Sequence, residues 1–225
     1  MGASDFSKLP HIGEALRRKE DYRFLTGAGN YTDDIRLENM THAVFVRSPH
    51  AHANIKRIDK SAALAAPGVV AILDGADVVD AKINGLPCGW LITDTSGQPM
   101  KEPPHPILAN GKVRYVGDHV AMVVAETLEQ AKNAAELVDV EYDVLPAVVD
   151  VREAKTATAL HAEAPDNHCY KWAIGEKAAV DAAFAGAAHV TKLDLINNRL
   201  APNPMEPRAA IGSYNRASDE YTLYV

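Results

Sequence analysis

The sequence predicts an α+β fold, a mixed sheet with helices packed on it, followed by a second and incomplete α/β region. Three observations predict it. Apolar runs between about residues 26 and 150 come in the order β–β–β, long loop, β–β–α–β, which is the signature of a sheet with helices laid on its face. Thr127 and Gln130 have the spacing of a capping box, which fixes where one helix begins. The last residues alternate, with Tyr221, Leu223 and Val225 on one face and Thr222 and Tyr224 on the other, so the sequence stops within a strand.

Residues 1–25 are polar and charged, ending in Arg17-Arg18-Lys19-Glu20-Asp21, and read as an extended arm. In the following unit, Ala43-Val44-Phe45-Val46 is a short buried strand and Ala53 to Ile58 alternates as a second. Lys60 to Ala66 is Ala-rich and gives one or two helical turns, closed by Pro67-Gly68. Val69 to Leu73 is a third strand. Asn84 to Asn110, dense in Pro and Gly, reads as a long loop, and loops of this length commonly carry function or an interface. Lys112 to Val116 and His119 to Ala125 form two more strands around Gly117-Asp118, where Gly117 is expected to turn the chain and to need backbone freedom. Ala131, Ala134, Ala135 and Val138 keep helical spacing behind the capping box. Val138 to Tyr142 returns as a strand that Leu145-Pro146 ends.

Residues 151–168 read as a linker. Beyond it, Gly175 to Phe184 predicts a helix and His189 to Ile196 a strand. Arg208 to Tyr214 and Tyr221 to Val225 predict a hairpin around Asn215-Arg216-Ala217-Ser218. A sheet that stops mid-strand is unfinished, so an incomplete second domain is expected.

With 47 % hydrophobic residues and 24 % charged, the chain can build a core and is not disordered by composition. Its net charge of −7 argues against a nucleic-acid surface, which needs basic groups to displace counterions, and against docking on anionic lipid. No apolar run approaches the roughly 20 residues of a membrane span. Met1 to Pro10 lacks the basic-then-apolar pattern of a signal peptide, and Phe6 breaks a myristoylation pattern, so a cytoplasmic location is expected. Cys88 and Cys169 lack partners at metal-ligand spacing. They could join in one disulfide, but a reduced thiol pair fits a cytosolic chain better.

Each candidate for chemistry has a plain structural explanation beside it. Gly27-Ala28-Gly29 lacks the third glycine of a dinucleotide loop, since position 32 is Thr, and turn geometry accounts for it. His50 and His52 would share a strand face, but no acidic residue is close in sequence to complete a metal site, and surface histidines are common. His168-Cys169 would point to opposite faces of a strand and so would not activate each other. Asp33-Asp34 and Glu206 are carboxylates without an evident partner. No catalytic, cofactor-binding or metal-ligating residue is assigned on these grounds.

Taken in order, several stretches resemble the molybdenum hydroxylase family of xanthine dehydrogenases, aldehyde oxidases and aerobic carbon monoxide dehydrogenases. Leu25-Thr26-Gly27-Ala28-Gly29-Asn30-Tyr31-Thr32-Asp33-Asp34-Ile35 resembles the family's G-x-G-x-Y-x-x-D opening. The stretch Arg47-Ser48-Pro49-His50-Ala51-His52-Ala53-Asn54-Ile55 through Asp59 resembles a second motif. Ala66-Pro67-Gly68-Val69 resembles the turn and strand that follow. Tyr115-Val116-Gly117-Asp118-His119-Val120-Ala121 and Val140-Glu141-Tyr142 with Leu145-Pro146 continue the series. Asp181 to Ala188 and Asn203-Pro204-Met205-Glu206-Pro207-Arg208 resemble the entry to the first molybdopterin-binding domain. Together they run from about Gly13 to Val225, and the Met205-Glu206-Pro207 region is closer to the bacterial three-subunit members than to animal xanthine dehydrogenase.

The resemblance implies an α/β hammerhead domain over 26–150 and the truncated start of a molybdopterin-binding domain over 169–225. It also implies the chemistry of the whole enzyme: hydroxylation of a small-molecule substrate with oxygen from water, at a molybdenum–molybdopterin cytosine dinucleotide cofactor. Electrons would leave through Fe–S clusters and FAD on small and medium partner subunits. The family's glutamine near molybdenum, its Gly-rich cofactor loop and its base glutamate fall beyond Val225, so the implied role is a segment of a large subunit that needs the remainder of that subunit. The alternative is a stand-alone hammerhead module for protein–protein contact.

Overall fold

The computed structural model describes residues 14–198, 200, 202–205 and 207–225. Packing divides them into two compact units, one of residues 39–193 and one of residues 14–38 with 194–225. This division runs differently from the ranges expected from sequence, because it follows packing rather than motif boundaries.

In the first unit the strands are β1 (His42–Arg47), β2 (Ala53–Asp59), β3 (Val69–Asp74), β4 (Lys112–Val113), β5 (His119–Ala125) and β6 (Asp139–Val144). They form two three-stranded sheets, β1-β5-β3 and β4-β2-β6, and every pairing is antiparallel. The expected single mixed sheet is therefore corrected. No paired strands of these two sheets are consecutive in the chain, so their antiparallel sense is set by long connections and not by tight hairpins. β5 lies at the centre of the first sheet, where Val123 sits opposite Val44 on one side and Ile72 on the other. Val120, Ala121, Val123 and Ala125 are fully buried, which explains why this stretch reads as a near-continuous apolar run.

The capping box forms as read. The Gln130 amide N–H donates to Thr127 Oγ1 at 3.2 Å, and Thr127 N–H donates to Gln130 Oε1 at 3.0 Å. The helix it opens, α4 (Leu128–Ala135), buries Ala131 and Ala134 completely. Methyl side chains let the helix axis approach the β1–β5 face closely, and Ala134 joins Ala63, Ile72, Val123 and Val138 in the core. The single turn of α2 (Ser61–Leu64) lies within the one or two turns expected. α3 (Gly75–Asp80) is a helix the apolar pattern did not predict. It is built by capping: Asp74 accepts from the N–H groups of Ala76 and Asp77 and also pairs with Lys60 at 2.9 Å.

A second core of Ala53, Ala109, Val113 and Val120 lies between the sheets. Here the structure shortens an expectation, since β4 covers two residues and not 112–116. The Asp118 carboxylate takes the Arg114 N–H at 3.0 Å, and Gly117 N–H donates to Ser48 O. A side-chain acceptor that captures a backbone donor ends a ladder.

The 84–110 stretch is a loop with one isolated bridge, Thr93 to Pro99. It is fastened by Lys101 N–H to Cys169 O and Thr95 N–H to Lys171 O. The stretch read as a linker, 151–168, is tied down. The Asn167 side chain donates to Ala154 O, Ala157 O and Thr158 O and accepts from Leu160 N–H. Helix α5 (Lys177–Ala185) falls where sequence placed it and buries none of its residues. The expected strand over His189 to Ile196 is not formed among the described residues. A strand exists through its partner, and no described strand pairs with this stretch.

The other unit contains α1 (Asp21–Leu25) and the hairpin of β7 (Ile211–Asn215) and β8 (Glu220–Tyr224). Five residues of the expected arm are thus a short helix, where Asp21 caps back onto Arg18. The hairpin turn is the one read from sequence: Asn215 Oδ1 accepts from Ala217 N–H, and Tyr214 stacks on Tyr221 with centroids 4.6 Å apart. Arm residues 1–13 lie outside the described residues.

Candidate functional site

The residues singled out by sequence do not converge. Gly27 has φ +72 and Phe24 stacks on Tyr31 across the turn, so this glycine pair makes a bend, as turn geometry requires. Asp33 and Asp34 lie in a short 3-10 turn where Asp34 accepts the Tyr31 N–H. His168 and Cys169 are spent on backbone contacts: His168 N–H donates to Asp166 and Cys169 O accepts from Lys101. Both cysteines are free thiols. Glu206 lies outside the described residues.

His50 and His52 do not share a strand face. They sit on the bend between β1 and β2 and take different environments. The His50 ring meets Tyr142 edge-on at 5.0 Å, while its backbone exchanges hydrogen bonds with Ser48 Oγ. His52 is 2 % exposed, and its Nδ1 lies 2.8 Å from Pro146 O. A carbonyl only accepts, so Nδ1 carries the proton and Nε2 presents its lone pair. That Nε2 is sealed from solvent without a hydrogen-bond partner among the described residues. Among those residues no group of three His, Cys, Asp or Glu side chains is placed to hold a metal ion.

What the fold does assemble is a cleft of about 260 Å³, walled by Pro103, Pro104 and Pro106 and carrying His105, Arg114, Tyr115, Asp118 and His161. Its groups come from three distant stretches: the proline-rich loop, the β4–β5 turn and the tied-down segment near 160. Arg114 anchors it, with Nε donating to Leu160 O at 2.9 Å. Asp118, 8 % exposed, holds Arg114 N–H and lies beside the Tyr115 phenol; burial and then this carboxylate push the phenol above its ordinary range. His161 Nδ1 is a second sealed imidazole nitrogen without a partner among the described residues. Burial holds the His161 ring below the ordinary imidazole range. The Arg114 charge adds to this, His105 and His52 contribute, and Glu163 opposes. No sequence signal joins 105, 114–118 and 161, because their proximity is a product of topology and not of spacing.

In the part of the chain that resembles the entry to a molybdopterin-binding domain, a groove lies on the hairpin and is lined by Gly212, Ser213, Tyr214, Tyr221, Thr222 and Leu223. It offers hydroxyls and phenols but no cation for a pyrophosphate. That groove does not by itself fit a molybdenum–pterin cofactor.

Comparison with known proteins gives a consistent result. Residues 26–146 match the model of the aldehyde oxidase and xanthine dehydrogenase a/b hammerhead domain, and residues 160–225 match a molybdopterin cofactor-binding domain. The chain is similar to the carbon monoxide dehydrogenase large chain of Afipia carboxidovorans, at 37 % identity over 96 % of this chain and 27 % of that protein. It is also similar to the nicotine 6-hydroxylase large subunit of Paenarthrobacter nicotinovorans, at 36 % identity over 95 % of this chain and 26 % of that one. Among solved structures, it resembles the Cu,Mo-CO dehydrogenase with TM-score 0.77 and 36 % identity, over 96 % of this chain and 28 % of the other. Quinoline 2-oxidoreductase from Pseudomonas putida 86 follows with TM-score 0.74 and 35 % identity, over 94 % and 26 %. The chain thus spans about a quarter of the length of the curated relatives it matches.

Proposed function

Because the chain belongs to the aldehyde oxidase and xanthine dehydrogenase family, whose hammerhead model spans more than half of it, we propose that it supplies the amino-terminal segment of a molybdenum-cofactor hydroxylase large subunit and is not catalytic by itself. The observation that carries this is the shared backbone with Cu,Mo-CO dehydrogenase over 96 % of the chain. Residues 26–150 serve as the hammerhead domain and 169–225 as the beginning of the cofactor-binding domain, joined through 151–168. The molybdenum–molybdopterin cytosine dinucleotide is held by the remainder of the large subunit, and Fe–S and FAD subunits carry electrons away. Two free thiols suit the reducing cytoplasm, where we place the protein.

Large apolar side chains left on the surface support a role within an assembly. Trp90 is 79 % exposed, Trp172 59 % and Ile174 83 %. Surfaces of this kind mark contacts with other protein. The test is co-expression of the tagged chain with the remaining large-subunit sequence and the Fe–S and FAD subunits of the same source. The tagged chain should co-purify with them, with molybdenum and with dye-reducing activity. Failure to capture any of them would favour the stand-alone module.

A further inference from the structure

We propose that His161 is a proton-operated latch: neutral, it seals the turn of residues 158–167 onto the body of its unit, and protonated, it releases that turn. The inference goes beyond the family role and does not depend on it.

The turn is closed by its own hydrogen bonds. Ala164 N–H donates to His161 O, Asn167 N–H to Ala164 O, and Leu160 N–H to Asn167 Oδ1. Its attachment to the body is polar and narrow: the Arg114 guanidinium on Leu160 O, the Lys101 ammonium on the Asp166 carboxylate at 2.8 Å, and the His161 ring pressed into the cleft. Ala164, 3 % exposed, is the buried apolar residue of this stretch, so little hydrophobic area holds the turn down.

The charges around the His161 ring favour its neutral form. Arg114 faces it from the β4–β5 turn, His105 from the proline-rich loop and His52 from the bend before β2, while Glu163 of its own turn is the opposing carboxylate. Asp118 lines the same cleft, but its carboxylate is committed to Arg114 N–H. The sealed Nδ1 has no acceptor for an added proton among the described residues, and neither does the sealed Nε2 of His52. A proton placed on His161 thus meets a guanidinium that does not give up its own charge. Desolvation and like charge both expel the cationic ring.

The sign follows from linkage. The closed turn binds the proton less well than the open one, so closure is fully favoured above the ordinary imidazole value of about 6.5 and weakens as pH falls below it. In the open turn the ring regains water and keeps the Glu163 carboxylate beside it.

Hydrogen exchange of the 158–167 peptide, corrected for intrinsic rates, reads the latch together with NMR titration of the His161 ring. Between the ordinary imidazole value and the lower folded value, protection should fall by up to about tenfold per pH unit, while β5 keeps its protection. His161→Gln, which cannot be charged, should remove the acid response. Glu163→Gln, at an exposed position, should move the midpoint to lower pH, and it tests the latch even where His161→Gln disturbs the turn. Equal protection at pH 7.5 and 5.5, a ring titrating at or above the ordinary value, or an undiminished response in His161→Gln would each overturn the proposal.

Discussion

Gly117 shows what a single residue contributes. Its φ is +89, it turns the chain between β4 and β5, and a Cβ added there would meet nothing within 4 Å. The cost of Gly117→Ala is therefore backbone strain alone, about 1 kcal/mol or somewhat more, and urea melts should show it. Gly75 is the contrasting case. Its Cβ would lie 2.3 Å from Ala109 O, at the edge of the second core, so Gly75→Ala must displace backbone. Its cost should exceed that of Gly117→Ala in the same melts; an equal or smaller cost would mean that the 109–110 backbone yields freely. Gly117 was legible in the sequence because its turn is local. The close approach at Gly75 was not, because its partner lies 34 positions away along the chain.

Among the helices, α4 is the one whose start the sequence specified to the residue. Replacing Thr127 with Ala removes the acceptor for Gln130 N–H and should destabilise the unit by about 1 kcal/mol, within the range of about 0.5–2 for lost caps. Thermal or urea denaturation of Thr127→Ala beside Thr127→Ser measures it, and Ser should recover most of the loss. Should Ala and Ser behave alike, packing of Ala131 and Ala134 would be what sets the helix. Strands β1, β2, β3, β5 and β6 were legible because each carries its apolar pattern within itself. The pairing was not, since one sheet and two sheets present the same alternation to a reader of sequence. The strand expected over 189–196 failed for a related reason: Leu193 and Leu195 alternate as in a strand, but pattern supplies no partner. The cleft was illegible because His105, Arg114 and His161 meet through topology. His52, read from sequence as a surface histidine, is a buried core histidine.

At the scale of the whole molecule, the unit of residues 39–193 holds both apolar cores, while the hairpin β7–β8 leaves Tyr221 80 % and Leu223 67 % exposed. Two strands alone are marginal in water, so β7–β8 amides should exchange well before those of β5 in a dilute sample. Equal protection in a monomer would make the hairpin self-sufficient and favour the stand-alone module. The central claim is that this chain is a hydroxylase segment whose catalytic cofactor is held by other sequence. Molybdenum quantified by plasma mass spectrometry in the chain purified alone, from a host that makes the cofactor, tests that claim most directly. The account predicts far less than one molybdenum per chain and no dye reduction with purine, aldehyde or carbon monoxide; a stoichiometric metal content with turnover would contradict it.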